Sequence, residues 1–486
     1  MDQAPIVGTE AMEHTLVAEA PLTWGELHFG GLSLGDARRS QRLPELMDLM
    51  HQHPGGTLPD KLNEPADLRA FYRLMNATEV THDAVLQTHY QATSDAIEQA
   101  LAEGAWVLNI HDATELDDTA ISKLQGQLGQ IGQGTHRGYI CHNSLAVRAD
   151  TRESLGLTSQ VLHHRADVPK GETAKQCRER ANRESRLWPR GAGALAMSPT
   201  GRVVDVSDSL SDTFEYMAFE ITTGRRFVLR SRENRRLATP LQGESMLYEG
   251  VRACPSVLSY AYVVAAGPDR PARKTMLQVS FTPVTLQMPL DRAGEYAPAP
   301  LTMWAIRVWE TNTPQGVEPL EWILLTNVPV TTPAAARERV GWYECRFIVE
   351  EYHKGMKTGC GLETMQFEQI ARLEPAIGVL SVLTLSLLQL RDAARAPDAA
   401  TRPASDVISA EYIEVLRREY RTRLGAELIT IQQFYRHVAR LGGHQNRKGD
   451  GFPGWLTLWR GWTKLESMVR SYRHGLHRAE QRCGTT

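Results

Sequence analysis

The sequence predicts an α/β protein with helical domains at both ends. Capped helical segments fill residues 34–102, strand-like apolar runs and helical segments share 105–217, and helix returns near residue 334 after a long strand-rich stretch. At 486 residues the chain exceeds the size at which one core stops growing, so two to four domains are expected.

In the first region Asp36 is an N-cap before "ARRSQRLPELMDLM", Pro65 sits where a first helical turn tolerates it, and Thr81 caps a further helix. "AWVLNI" (105–110) then reads as a buried strand ending at "HDAT". "GYICHNSLAVRA" and "LGLTSQVLHH" flank the turn "DTRES" as a hairpin, and a charged helical segment covers 172–187. "GRVVDVSDSLSDTFEYM" (201–217) is a strand running into a helix. From 219 to 330 the pattern is mostly strand, with turns at "AGPDRPAR", "DRAGEYAPAP" and "NTPQGVEP". The helix that returns near 334 should end at Gly359 or Gly361. Residues 391–406 have linker composition, and helices resume from Glu411, with Trp455, Trp459 and Trp462 spaced as an apolar packing face.

Composition excludes several classes. The first fourteen residues lack the basic start and apolar stretch of a secretory signal. The longest apolar run, "AIGVLSVLTLSLLQL" (376–390), is shorter than the ~18 residues of a membrane span and reads as a buried core helix, so no membrane is expected. The six cysteines are dispersed with neither CxxC pairs nor zinc spacing, which fits a reducing, cytoplasmic setting. With 54 Lys+Arg against 57 Asp+Glu, the formal charge of −3 argues against coating nucleic acid by bulk charge. It leaves room for clustered basic residues, found at 36–42, 224–236 and 417–448.

The candidate chemistry lies in three carboxylates. Asp112 ends a predicted buried strand and Asp208 follows another, at the carboxyl ends where open α/β sheets place their sites. Glu350 belongs to a helical polar stripe. At about 100° per residue, Arg346, Glu350 and Lys357 fall at about 300°, 340° and 320° from Tyr343, all on one face. Converging carboxylates supply the hard oxygen ligands of Mg²⁺ or Mn²⁺, and two such ions can activate an attacking oxygen and stabilise a leaving one on a phosphodiester. Tyr343, Arg346 and Lys357 would then hold the phosphates of a DNA strand. His111, His163 and His164 read as structural or exposed.

The spacing Tyr343-x2-Arg346-x3-Glu350-x6-Lys357 resembles, without gaps, the Y-(2)-R-(3)-E-(6)-K signature of the insertion-sequence-4 family of DDE transposases. The likeness continues through "EEYHKGMKTGCG". "LNIHDAT" is similar to the strand bearing the family's first catalytic Asp, pointing to Asp112, and "VSDSLSD" to the second, pointing to Asp208. "LGDARRSQRL" (34–43) resembles the family's end-recognition motif. "RGYICH", "ESRLW", "PLEWILLT" and "ARLGG" follow in the family's order, so the resemblance covers nearly the whole chain. Two departures stand out. Asp208-Ser209-Leu210-Ser211-Asp212 replaces the usual DRExD, and Phe347 replaces the tryptophan that usually follows the signature arginine.

The resemblance implies an RNase H-like catalytic core with a β-rich insertion between the second Asp and the Glu. The expected domains are an end-binding helical domain at 1–85, the core at 86–395 with its insertion at about 219–330, and a helical dimerisation domain at 396–486. It implies catalysis by Asp112, Asp208 and Glu350 holding two Mg²⁺, with Mn²⁺ able to substitute. DNA contacts are expected from Tyr343, Arg346, Lys357, His353, Lys354 and Phe347, from Arg38, Arg39 and Arg42, and from Arg230 and Arg232. Trp322 would stack on a flipped base. The implied partners are transposon ends, target DNA and a second copy of the chain. An end-binding inhibitor without turnover, or a nuclease that cuts without joining, would use the same fold.

Overall fold

The computed structural model describes residues 22–166, 170–264, 271–290, 300–420, 429–447, 450 and 452–483. Five helices open it: α1 (Trp24–Phe29), α2 (Ala37–Gln52), α3 (Leu58–Lys61), α4 (Pro65–Met75) and α5 (His82–Ala102). Their starts follow local chemistry. Asp36 accepts from the Arg38 amide at 2.8 Å, Pro65 takes the first position of α4, and Thr81 accepts from the Ala84 amide at 3.2 Å. The sequence reading missed α1, although Thr23 and Glu26 form a reciprocal capping box there. The expected domain limit at residue 85 falls inside α5.

The next strands are β1 (Val107–Asp117), β2 (Gly129–Gln130), β3 (Arg137–Arg148), β4 (Ser154–His163), β5 (Val203–Ser207) and β6 (Phe227–Arg230). β3 pairs antiparallel with both β1 and β4, whereas β1, β5 and β6 run parallel. Helices α6 (Ala174–Glu179), α7 (Leu187–Ala194) and α8 (Phe214–Thr222) lie between these strands in the chain. Then come β7 (Arg236–Leu241), β8 (Glu244–Met246), α9 (Leu247–Arg252), β9 (Leu258–Val264), β10 (Arg273–Leu286), β11 (Leu301–Glu310) and β12 (Glu321–Thr326).

Two expectations about the strands are corrected. The strand-rich stretch expected from about 219 opens inside α8, and its first strand, "FVLR", pairs parallel with β5. It also extends the sheet of β1 and β5, since β12 pairs antiparallel with β6. The strand at 105–110 runs on to Asp117, because residues 112–117 keep pairing with β3 after the apolar run has ended. The expected turns at 266–270 and 291–299 lie outside the described residues, as do the first twenty-one residues and parts of the basic stretch at 417–448.

The returning helix is not one rod. α10 (Pro333–Glu344) and α11 (Phe347–Lys354) are separated at Cys345 and Arg346, where amides bond three residues back and tighten the turn. A π-turn, Gly355–Gly359, follows. A Cβ at Gly355 would lie 2.8 Å from the Thr384 side chain and 3.2 Å from Trp455, so glycine lets this turn lie against the next helices. Those are α12 (Ile370–Arg395), α13 (Ala410–Glu419), α14 (Ile431–Leu441) and α15 (Trp455–Cys483).

By length and composition α12 could cross a bilayer, but 89% of its apolar window is buried inside the protein, where it forms the spine between α5 and β4. The expected linker at 391–406 is packed instead. α12 continues to Arg395, and Ala399 and Ala404 are fully buried. Trp455, Trp459 and Trp462 form the packing face their spacing predicts, all three buried. Cys141, Cys177, Cys254, Cys345 and Cys360 are free thiols.

Candidate active site

Strand register brings two of the carboxylates together. The last parallel pair between β1 and β5 is His111 with Ser207, so Asp112 follows it on β1 and Asp208 follows it at the start of the turn that leaves β5. Side chains alternate between faces, and Leu108, Ile110, Val204 and Val206 pack into the same core cluster as Ile348, Val349 and Tyr352 of α11. Asp112 and Asp208 continue that apolar row beyond the last shared pair, on the face that α11 covers.

The third carboxylate arrives through Arg346. Its Nη1 lies 3.0 Å from Asp112 Oδ2, and its Nη2 donates to Glu350 Oε1 one turn along. The tight turn before α11 therefore aims the signature arginine at both carboxylates. Burial pushes Asp112 up to about 7 against the pull of Arg346, and repulsion from Asp208 and Glu350 adds to the rise. Asp208 is raised by burial too, opposed by Arg346, by the amides of Leu210 and Ser211, and by Arg230.

The donor set is one that hard divalent cations take: carboxylates on a strand, in the turn after its parallel neighbour and on a facing helix. The mutual repulsion of these groups is what such a cation relieves. Among the described residues, however, no three His, Cys, Asp or Glu side chains are grouped closely enough to enclose an ion. The Arg346 guanidinium sits between Asp112 and Glu350 and supplies the positive charge there.

Around this centre the other signature residues take different positions. Tyr343 is buried with its ring edge-on to Trp322, centroids 5.8 Å apart, and burial raises its phenol. Trp322 is half-buried on β12 and also meets Tyr262 edge-on at 6.0 Å. Lys357 lies in the π-turn, 3.5 Å from Glu363, so it does not extend a regular helical stripe. Phe347 is half-buried against the core cluster, and Lys354 is exposed. His353 departs from expectation. It is turned inward, its Nε2 3.1 Å from Asn143 Nδ2, and burial lowers it to about 3, so its ring is not offered to a DNA strand. His111 is wholly buried, held by Ser144 at 2.8 Å and Asp205 at 2.7 Å, as its structural reading requires.

The altered segment after Asp208 is a short 3₁₀ turn capped by Asp208 itself. Its last residue, Asp212, is buried and accepts from Arg235 Nη1 at 2.6 Å and from the amides of Arg232 and Glu233 at 2.6 and 2.9 Å. Sequence reasoning missed this clamp; an Arg-rich stretch next to a lone Asp was its signal. The clamp fixes the loop beyond β6, where Ser209, Arg230, Arg232, Tyr248, Arg252 and Glu321 help line a cavity of about 340 Å³ beside Asp208.

In the N-terminal helices the three named arginines divide. Arg38 projects into solvent with 91% of its side chain exposed. Arg39 is paired with Glu79 at 2.8 Å, and Arg42 with Glu45 at 2.7 Å and with Asp67. Arg69 and Arg73 on α4 are exposed one turn apart, an i, i+4 pair that the sequence reading passed over.

These helices carry a likeness to a known family. Residues 21–80 match the family model described as transposase DNA-binding, which supports a transposase with DNA as its partner.

Proposed function

We propose that the protein is a cut-and-paste DNA transposase of the insertion-sequence-4 DDE type, resembling the transposon-5 transposase, acting as a homodimer on inverted-repeat ends. The observation that carries the reading is Arg346 held between Asp112 and Glu350, with Asp208 near enough to raise Asp112, in a chain whose N-terminal helices match a transposase DNA-binding family. The order β4-β3-β1-β5-β6, three antiparallel strands followed by two parallel ones, supports an RNase H-like core.

Asp112, Asp208 and Glu350 would hold two Mg²⁺, or Mn²⁺ in their place. So bound, the ions supply Lewis-acid activation of the attacking oxygen and stabilisation of the leaving one. Arg346 binds a phosphate of the end once it releases Asp112 and Glu350. Lys354, Lys357, Arg230 and Arg232 line the approach of the strand. Trp322, next to Tyr343 at the margin of the site, offers a ring on which an unstacked base can rest. The sequence of steps is hydrolysis at the element end, attack of the freed 3′-OH to form a hairpin, reopening by a second water, and joining of the 3′-OH to target DNA.

The test is a gel assay of the purified chain with inverted-repeat DNA of its own element and Mg²⁺ or Mn²⁺, resolving nicks, hairpins and joined products. Hairpins and joined products that disappear in Asp208→Ala support the reading. Specific binding without cleavage in either metal would overturn it in favour of an end-binding protein without turnover.

A further inference from the structure

A file of buried polar side chains crosses the molecule from the N-terminal helices to the helix that carries Glu350. His82 Nε2 lies 3.0 Å from Gln160 Oε1, Gln160 Nε2 lies 2.7 Å from Asn143 Oδ1, and Asn143 Nδ2 lies 3.1 Å from His353 Nε2. Both amides present oxygen towards His82 and nitrogen towards His353, so every bond in the file points one way. An amide nitrogen only donates, which fixes His353 as the acceptor. Gln160 donates in addition to Ser381 Oγ on α12, 2.9 Å away. Asn143, Gln160, His353 and Ser381 are all buried, where a hydrogen bond is stronger than in water.

The two ends of the file give it meaning. His82 is the first residue of α5, two positions beyond the matched stretch 21–80, with Asp83 at 3.2 Å from its Nδ1. It opens onto a polar cavity of about 670 Å³ that Asp83, Tyr90, Arg190 and Glu374 also line. At the other end, Asn143 is the β3 residue paired with Asp112, and His353 stands three positions beyond Glu350. A single donor chain therefore touches the neighbour of one candidate catalytic residue and the helix of another.

We propose that Asn143 and Gln160 are positioning residues that couple the DNA-end-binding helices to α11, holding Glu350 in register with Asp112 and tightening when DNA fixes residues 21–80. The coupling to DNA rests on the transposase reading; the mechanical coupling does not. At Asn143 the file is shared, since Nδ2 also lies 3.4 Å from the Cys141 carbonyl and 3.5 Å from its Sγ, but the bond to His353 is the shortest of the three and passes displacement between the ends, because a buried donor that drifts from its best acceptor keeps only weaker ones.

Hydrogen–deuterium exchange on the full chain tests both parts. Without DNA or metal, His82→Leu and Gln160→Met should each raise exchange of the 347–354 amides about tenfold over wild type. The double variant should be no faster than Gln160→Met alone, and His82→Gln, which keeps the donor, should restore the wild-type rate. Changes confined to α5 and β4 would overturn the file as a mechanical link. With end DNA added, the 347–354 amides should slow in wild type, while Gln160→Met binds the same DNA and shows no slowing. Slowing that persists in Gln160→Met would overturn the coupling. Failure of wild type to bind end DNA would instead refute the transposase reading, and the DNA-free comparison would still decide the file.

Discussion

Strands β1 and β5 carry acids on both faces of one sheet, and the two faces treat them differently. On one face Asp205 is 1% exposed, accepts from Asn109 at 2.8 Å and His111 at 2.7 Å, and has Arg225 3.9 Å from its other oxygen. On the other, Asp112 has one side-chain donor, Arg346, and an open side to solvent, and Asp208 accepts mainly from the backbone of its own turn. The residue type and neighbourhood are the same, "DVSD", three positions apart. What separates them is parity along the strand and the number of donors already committed. An acid whose oxygens are satisfied from within holds the fold. Asp112 and Asp208, raised by burial and short of side-chain donors, are free to take a new partner.

The largest expected effect is on chemistry at the open face. Glu350→Gln should lower single-turnover cleavage of end DNA by about 10³-fold or more, as loss of a metal ligand does. The half-exposed side chain contributes little to the fold, so end binding and the melting temperature should stay near wild type. Cleavage within a few-fold of wild type would remove Glu350 from the reaction. Asp205→Ala should do the reverse. It strands the buried donors of Asn109 and His111, and urea unfolding should show a loss of about 3 kcal/mol. Cleavage should then fall only with the folded fraction, and a large loss of rate at unchanged stability would erase the distinction between the faces.

Much of this site was legible in the sequence for a simple reason. Asp112 and Asp208 each follow an apolar run whose period fixes their face, and the signature fixes Arg346 and Glu350 one turn apart. The capped starts of α2, α4 and α5 were legible because capping is local. What was not legible depends on contacts between distant segments. His353 falls among the polar residues of the signature, yet Asn143, from a strand more than two hundred positions away, draws it inward. The regular stripe fails at Lys357 because Gly355 and Gly359 close a π-turn against α12 and α15, and helical period assumes an unbroken helix. "FVLR" reads as strand in any sheet; only its pairing places it beside β5.

A smaller effect sharpens the comparison through pH. Glu220, on α8 beneath the closed face, is fully buried with Tyr216 and Asp205 as its polar neighbours and no cation in ion-pair contact among the described residues. Burial, reinforced by repulsion from Asp205, raises it well above its ordinary value, so the folded protein keeps this proton where the unfolded chain has released it. The unfolded state then binds fewer protons, and stability falls as pH rises above about 4.3, the ordinary glutamate value. Glu220→Gln should flatten that fall in urea titrations between pH 5 and 8. An unchanged slope would mean that Glu220 ionises in the fold with a partner.

The smallest effect carries the same distinction, committed against uncommitted groups, to the N-terminal helices. Arg39 and Arg42 are already paired with Glu79, Glu45 and Asp67, so a phosphate must displace a carboxylate to engage them. Arg38 has nothing comparable to give up, since its contact with Asp36 is 3.5 Å and exposed. Arg38→Ala should therefore reduce the slope of log K against log salt by about 1 for end DNA, with melting of the helices unchanged. Arg39→Ala should change the slope less and lower stability by less than about 1 kcal/mol, the range of an exposed ion pair. Equal slope changes in the two variants would show that DNA phosphates outcompete Glu79, and that an existing ion pair does not keep an arginine from the interface.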